Sequence, residues 1–202
     1  MVYRFLFYIV GLFIISFGVV LTIKADLGAG AWDALNVGLA ETVGFTVGTW
    51  VIIVGAVLIV INAILLKKFP EIFAIVTIII IGIFVDFWLE FILQNWELSS
   101  LLLRFLLLIL GLIIISIGVS IYLQAKFPLI PIDQFMMVLK EKLNVTLMTA
   151  KTIGEVLALI LALLFHGPIG IGTIIITLFI GPFIQFFFPK FERLFKQISK
   201  SH

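Results

Sequence analysis

The chain has 202 residues, of which 63% are hydrophobic and 12% charged, with a formal net charge of +2 and no cysteine. Soluble domains are about 45–50% apolar and about 25% charged, so this composition excludes an ordinary soluble domain and indicates a protein whose solvent is lipid. It also excludes a disordered or nucleic-acid-binding chain, and the lack of cysteine excludes disulfides, thiolate metal sites and thiol catalysis.

Six apolar stretches are long enough to cross a membrane, since a hydrocarbon core about 30 Å thick needs roughly 20 helical residues. The breaks between them carry charged residues, glycine or proline. The predicted fold class is therefore all-α, a polytopic membrane protein with six transmembrane helices. We predict the spans at about 4–24, 46–66, 72–94, 101–124, 146–166 and 169–189.

Many residues between 11 and 53 recur one hundred residues later, and no insertion is needed across that stretch. Glycines, aspartates and threonines carry the clearest matches: Gly11, Gly18, Asp33, Thr46 and Thr49 recur as Gly111, Gly118, Asp133, Thr146 and Thr149. Internal repeats in an apolar chain are typical of transporters. We predict two three-helix repeats at 1–97 and 101–189, and a basic amphipathic cytoplasmic tail at 190–202.

The basic residues predict the orientation of the spans. If the N-terminus is cytoplasmic and the spans alternate, only Lys24 and Arg104 fall outside and the other basic residues fall inside, as the positive-inside rule requires. Because each repeat has three spans, the second repeat enters the membrane upside down. The prediction is a pair of inverted-topology repeats with both termini in the cytoplasm.

A short polar segment follows the first span of each repeat, at residues 25–45 and 125–145. Each segment holds a duplicated aspartate near the start of a short helical pattern. The second copy is amphipathic, which favours a helix at the membrane interface. The first copy is rich in glycine and alanine and could instead be re-entrant, so both placements stay open.

The glycine-rich turn of the first repeat resembles the opening of the YczE/YitT-type bacterial integral membrane proteins. The stretch that carries the resemblance is Gly18-Val19-Val20-Leu21-Thr22-Ile23-Lys24-Ala25-Asp26-Leu27-Gly28-Ala29-Gly30-Ala31-Trp32-Asp33, followed by Thr46-Val47-Gly48-Thr49-Trp50. The second repeat departs from it, with Lys126 to Asp133 in place of the glycines and the tryptophan. The resemblance implies a bacterial cytoplasmic-membrane protein of a family whose biochemical activity is mostly unassigned. It supplies no catalytic residue and no cofactor.

Asp33 and Asp133 are the first candidate site residues, because they are the duplicated aspartates. One interpretation is a pair of substrate-contacting or gating carboxylates, with Trp32 beside Asp33 as a further contact. The other is a pair of aspartates that cap short helices by accepting from free backbone N–H groups. Duplication favours neither interpretation.

Asp86 and Glu155 lie within predicted spans, where a carboxylate costs roughly 2.5–3.5 kcal/mol on insertion scales. Both break the repeat: Gly55 aligns with Glu155, and Gln185 aligns with Asp86 if one residue is deleted before it. We hypothesise that Asp86 and Glu155 are protonatable groups in a central cavity, with Gln185 as a further candidate. The alternative is that they are protonated structural hydrogen-bond donors between helices.

The functional expectation is a small inverted-repeat transporter or translocator of an unknown small molecule or lipid head group, with proton coupling left open. The sequence contains no enzyme signature, and we expect no enzyme, cofactor, metal site or nucleic-acid partner. The alternative is a non-transporting adaptor or regulator, or the substrate-binding subunit of a larger transporter. Six spans make a thin-walled pathway, so a homodimer or a membrane partner stays open.

Overall fold

The computed structural model describes residues 2–200 and the side chains of residues 2–198, and this part of the chain is helical. The eight α-helices are α1 (Val2–Lys24), α2 (Ala31–Val43), α3 (Val47–Leu66), α4 (Ile72–Asp86), α5 (Leu101–Tyr122), α6 (Pro131–Leu143), α7 (Leu147–Leu164) and α8 (Ile171–Lys200). A π-helical turn, Phe87–Ile92, extends α4, and a 3₁₀ turn, Leu123–Ala125, extends α5.

Six of these helices are long and apolar enough to cross a membrane, which confirms the predicted number and order of candidate spans. They cover Val2–Lys24, Val47–Leu66, Ile72–Ile92, Leu101–Ala125, Leu147–Leu164 and Ile171–Ile198. Large apolar side chains remain exposed along these helices, as expected where lipid replaces water. The two remaining helices, α2 and α6, are the predicted short helices that follow the first span of each repeat.

The described chain forms two compact units, and neither coincides with a predicted repeat. The first unit contains residues 1–30, 87–127 and 170–202, and the second contains residues 31–86 and 128–169. Each unit therefore takes helices from both halves of the sequence. Repeat boundaries describe sequence similarity, whereas these units follow packing, so the repeat assignment itself stays a prediction.

The first unit is built on an antiparallel crossing of α1 and α5 that duplicated glycines make possible. A Cβ added to Gly11 would lie 2.6 Å from the backbone nitrogen of Tyr122, and one added to Gly18 would lie 2.7 Å from that of Ile115. The contacts are reciprocal: Gly111 and Gly118 meet Thr22 and Ile15 in the same way. Small residues let membrane helices approach closely, and here the backbones touch.

Helix α8 completes the first unit by packing against α5. Leu21, Leu108, Leu112 and Ile176 form the buried core shared by α1, α5 and α8. The helix does not end at Pro189, the predicted end of the sixth span, but continues through Pro182 and Pro189. Membrane helices tolerate proline where neighbours satisfy the freed carbonyl groups. Residues 201–202 of the predicted tail lie outside the described residues.

The second unit contains α2, α3, α4, α6 and α7, and its two short helices pack against the same two long helices. Helix α2 packs against α7 and α3, while α6, its sequence equivalent, packs against α3 and α7. Equivalent threonines also cap equivalent helices: Thr46 Oγ1 accepts from the Thr49 N–H at 3.0 Å, and Thr146 Oγ1 from the Thr149 N–H at 3.2 Å. Helix α4 packs against α3 through Ile59, Ala74 and Ile78.

Candidate functional site

Helix α2 is held against the end of α7 by a glycine contact. A Cβ on Gly38 would lie 2.6 Å from the carbonyl oxygen of Phe165, so only glycine fits without a shift. Most residues of α2 from Ala31 to Leu39 are buried. This protein cover is the condition that a re-entrant segment requires, and it fixes the position of Asp33 in the first turn of α2.

Asp33 is a half-buried carboxyl group that makes no hydrogen bond or ion pair with any part of the chain that the structure describes. It lies in the first turn of α2, where the free N–H groups favour a negative charge. Burial and, to a smaller extent, the Glu155 carboxylate raise the pKa of Asp33 from 3.8 to about 7. Burial raises the pKa of an acid because it penalises the charged form.

Glu155 lies on α7 where α6 approaches it. A Cβ on Gly154, the preceding residue, would lie 3.8 Å from Cδ1 of Phe135, so α6 meets α7 at this level. The charges of Lys151, one turn earlier on α7, and Asp133, in the first turn of α6, both act on Glu155. Asp33, Asp133 and Glu155, which we call the carboxyl cluster, therefore belong to one electrostatic neighbourhood in the second unit.

The aromatic ring of Trp32 lies beside the carboxyl cluster. Its side chain is 9% exposed, and its ring meets that of Phe135 edge to face, with centroids 6.2 Å apart. Trp32 directly precedes Asp33, and Phe135 lies two residues after Asp133. The contact therefore places the first turn of α2 next to the first turns of α6.

Two buried asparagines near this cluster did not emerge from the sequence as candidates. Asn36 is 3% exposed and Asn62 is 1% exposed, and the Oδ1 atom of each has no hydrogen-bond partner in the described chain. Asn62 Nδ2 donates to the carbonyl of Pro131 at 3.1 Å, which ties α3 to the start of α6. For Asn62 the available signal was an amide within an apolar span, since polar groups at membrane depth are costly. Asn36 lies outside the predicted spans and gave no such signal.

Asp86 has a different environment from the carboxyl cluster. Its Oδ2 accepts from Thr46 Oγ1 at 2.6 Å, and its Oδ1 accepts from the backbone N–H of Gly48 at 2.7 Å. It lies at the C-terminal end of α4 and caps the start of α3. These hydrogen bonds fit the interpretation of Asp86 as a structural residue between helices. Its role as a protonatable group in a central cavity stays a prediction.

Gln185 is not placed with the carboxyl cluster. It lies on α8, in the first unit, and its side chain is exposed. The cluster and Trp32 belong to the second unit. The structure thus brings together Asp33, Asp133, Glu155 and Trp32, and gives Asp86 and Gln185 other surroundings.

A family model described as a family of unknown function, DUF6198, matches residues 2–189. The chain belongs to this family. It is 38% identical over 192 residues to the uncharacterized protein YyaS of Bacillus subtilis, covering 95% of this chain and 96% of that protein. It is 35% identical over 191 residues to the uncharacterized membrane protein YczE of the same bacterium, covering 94% and 87%.

The YczE-type resemblance read from the glycine-rich turn is confirmed by the DUF6198 match and by the similarity to YczE. No solved structure matches the chain. Six apolar helices, and the similarity to YczE, which is described as a membrane protein, identify this DUF6198 chain as a membrane protein.

Replacing Asp86 with alanine in this DUF6198 chain is expected to lower the free energy of unfolding by about 1–2 kcal/mol, the usual cost of a lost helix cap. The variant loses the bonds to Thr46 and Gly48. Thermal unfolding in detergent measures the effect. Glu90→Ala, at an exposed position one turn later, is the control and is expected to change stability little. Equal losses in both variants would contradict the capping role.

Proposed function

We propose that this chain is a small secondary transporter of the bacterial cytoplasmic membrane, which moves a small molecule or a lipid head group. The observation that carries the proposal is the carboxyl cluster. Its members come from both sequence halves, Asp33 from the first and Asp133 and Glu155 from the second, and share one compact unit. Ionisable groups inside membrane proteins are costly and commonly mark substrate or ion pathways.

Reciprocal packing supports an architecture of two inverted repeats. In the first unit α1 and α5 run antiparallel, with duplicated glycines making equivalent contacts. In the second unit α2 and α6 each pack against the same two helices, α3 and α7. A two-fold axis in the membrane plane generates both patterns, and alternating access in many transporters uses such halves. The third spans differ, since α4 packs against α3 and α8 against α5.

Charges support cytoplasmic termini. The two basic residues that this orientation places outside are held by protein groups at one end of the first unit. Lys24 Nζ donates to the carbonyl of Gln94 at 3.0 Å, and Arg104 forms an ion pair with Asp26 at 2.7 Å. With these two outside and the other eleven of the 13 basic residues inside, the bias is the one that the positive-inside rule describes.

The pKa of Asp33 supports coupling to protons. A carboxyl group with a pKa of about 7 gains or loses a proton near neutral pH, whereas an ordinary aspartate stays ionised. A carrier needs such a group if substrate and proton are to bind in a linked manner. Asp33 and Glu155 are the residues we assign to this coupling.

Proteoliposomes containing only this chain test the proposal. Compounds that raise the melting temperature of the purified protein are selected from a metabolite library and then assayed for uptake under an imposed pH gradient. We expect uptake that Glu155→Gln reduces about tenfold or more, while Glu90→Gln leaves it unchanged. Compounds that bind but never cross the membrane would contradict transport and favour the alternative of a substrate-binding subunit.

A further inference from the structure

One end of the first unit gathers basic side chains from three separate segments of the chain. Arg4 lies in the first turn of α1, Lys126 follows the 3₁₀ turn after α5, and α8 ends in a basic stretch. Arg4 Nε donates to the carbonyl of Ala125 at 2.8 Å, and its Nη2 donates to that of Lys126 at 3.2 Å. Hydrogen bonds therefore hold the first of these segments against the second.

The last turns of α8 reach the same end of this unit. The ring of Phe195 meets the ring of Phe7 on α1 edge to face, with centroids 5.0 Å apart. Helix α8 also packs against the 3₁₀ turn Leu123–Ala125. Because Phe7 follows Arg4 by one turn of α1, the basic stretch of α8 lies beside the other two segments. We call their five basic residues the basic end: Arg4, Lys126, Lys190, Arg193 and Lys196.

The basic residues of α8 form a stripe along one side of the helix. A helix turns about 100° per residue, so Lys190, Arg193 and Lys196 fall within an arc of about 120°. All three side chains are exposed. The apolar residues of the same turns lie opposite this arc: Phe191, Phe195 and Ile198. Since Phe195 packs on α1, the basic stripe faces the surroundings of the protein.

The positive charge of the basic end exceeds the negative charge on the segments that carry it. Glu192 is the one acidic residue within residues 2–24, 101–127 and 171–198, and it forms an ion pair with Lys196 at 2.7 Å. The side chains of Lys126 and Arg193 are exposed and make no hydrogen bond or ion pair in the part of the chain that the structure describes. Five basic residues against one acidic residue leave an excess of four positive charges.

The stripe lies where a membrane helix meets the lipid head groups. Helix α8 has 30 residues, whereas a hydrocarbon core about 30 Å thick needs roughly 20, so about ten residues extend beyond the core. Residues 171–189 carry no charge, which identifies the C-terminal part as the extension. Exposed apolar side chains on the same segments, Phe5 on α1 and Leu194 on α8, offer surface for acyl chains.

We propose that the basic end is a binding surface for phospholipids whose head groups carry a net negative charge, in the leaflet that this end of the protein meets. The phosphate oxygens accept hydrogen bonds from Lys126 and Arg193, and the acyl chains lie against Phe5 and Leu194. Basic residues near a membrane surface attract anionic lipids, whereas the charges of a zwitterionic head group cancel. This inference goes beyond the proposed transport function and does not depend on it.

Lipid retention by the purified full chain tests the inference. The protein in detergent is mixed with equal amounts of dioleoylphosphatidylglycerol and dioleoylphosphatidylcholine, which share acyl chains and differ in head-group charge, and is then re-isolated for mass spectrometry of the bound lipid. We expect phosphatidylglycerol to be retained about tenfold more than phosphatidylcholine at about 50 mM salt, and about twofold or less at about 0.5 M salt, because salt screens exposed charges. Equal retention at low salt, or displacement of the lipid by millimolar glycerol phosphate, would overturn the inference.

Two double variants separate a binding surface from attraction to the total charge. Lys126→Gln with Arg193→Gln is expected to reduce the preference about fivefold or more. Lys67→Gln with Lys68→Gln removes the same charge from exposed positions of the second unit, and Lys67, like Lys126, has a positive φ after a helix. This control is expected to keep the preference of the wild type. Equal losses in both variants, or no loss in the first, would overturn the inference. Should the first variant fail to fold, Lys190→Gln with Arg193→Gln gives the same test.

Discussion

Replacing Gly11 with alanine is expected to lower the free energy of unfolding by about 2–3 kcal/mol or more. The new Cβ would lie 2.6 Å from the backbone nitrogen and the Cβ of Tyr122, and a backbone cannot yield as the end of a flexible side chain can. Forced overpacking typically costs about 1–3 kcal/mol and sometimes more. The contact belongs to the antiparallel crossing of α1 and α5, on which the first unit is built.

Gly181→Ala is the matched control, because no atom lies within 4 Å of its added Cβ in α8. That change is expected to be neutral or to stabilise the helix by up to about 1 kcal/mol. Gly118→Ala should destabilise as Gly11→Ala does, since its Cβ would lie 2.7 Å from the backbone nitrogen of Ile15. Similar melting temperatures for Gly11→Ala and Gly181→Ala in detergent would contradict the close crossing.

Replacing Asp33 with asparagine is expected to remove a pH dependence of stability and to stabilise the protein above neutral pH. Folded Asp33 keeps its proton up to about pH 7, whereas the unfolded residue loses it near its ordinary pKa of 3.8. Between these values the folded state binds more protons, so the free energy of unfolding falls as pH rises, and above about pH 7 this contribution is constant. Each unit of pKa shift is worth about 1.4 kcal/mol, so the total is a few kcal/mol.

Melting temperatures of wild type, Asp33→Asn and Glu41→Gln between about pH 4 and pH 8 measure this effect. Glu41 is an exposed carboxyl on the same helix, and its variant should follow the wild type. The Asp33→Asn protein should gain on the wild type steadily across the range and hold its advantage at pH 8. Parallel curves for wild type and Asp33→Asn would show that folding does not raise the pKa of Asp33, and would contradict this account.

The spans and helix caps could be predicted because their signals are local. Runs of apolar residues identify membrane helices, and Thr46 and Thr146 stand at the starts of α3 and α7, where threonine caps a helix. The duplicated glycines stood out as part of the repeat, but only the structure shows that Gly11 faces Tyr122.

The carboxyl cluster could be predicted only in part. The sequence singled out Asp33, Asp133 and Glu155 by duplication and by charge within an apolar span, but the pairing of α2 with α7 is a tertiary contact without a local signal. The sequence predicted Asp86 to lie within an uninterrupted span at about 72–94. In the structure α4 ends at Asp86, beside the start of α3, and a π-helical turn follows.

The most direct test of the inverted arrangement, on which the transport mechanism depends, is the accessibility of two equivalent positions from each side of the membrane. The chain has no cysteine, so Glu41→Cys and Glu141→Cys each introduce a single thiol at an exposed residue. A membrane-impermeant maleimide on intact cells is predicted to label the thiol at position 41, and to label that at position 141 only after the membrane is permeabilised. Labelling of both positions from the same side would contradict the inverted arrangement.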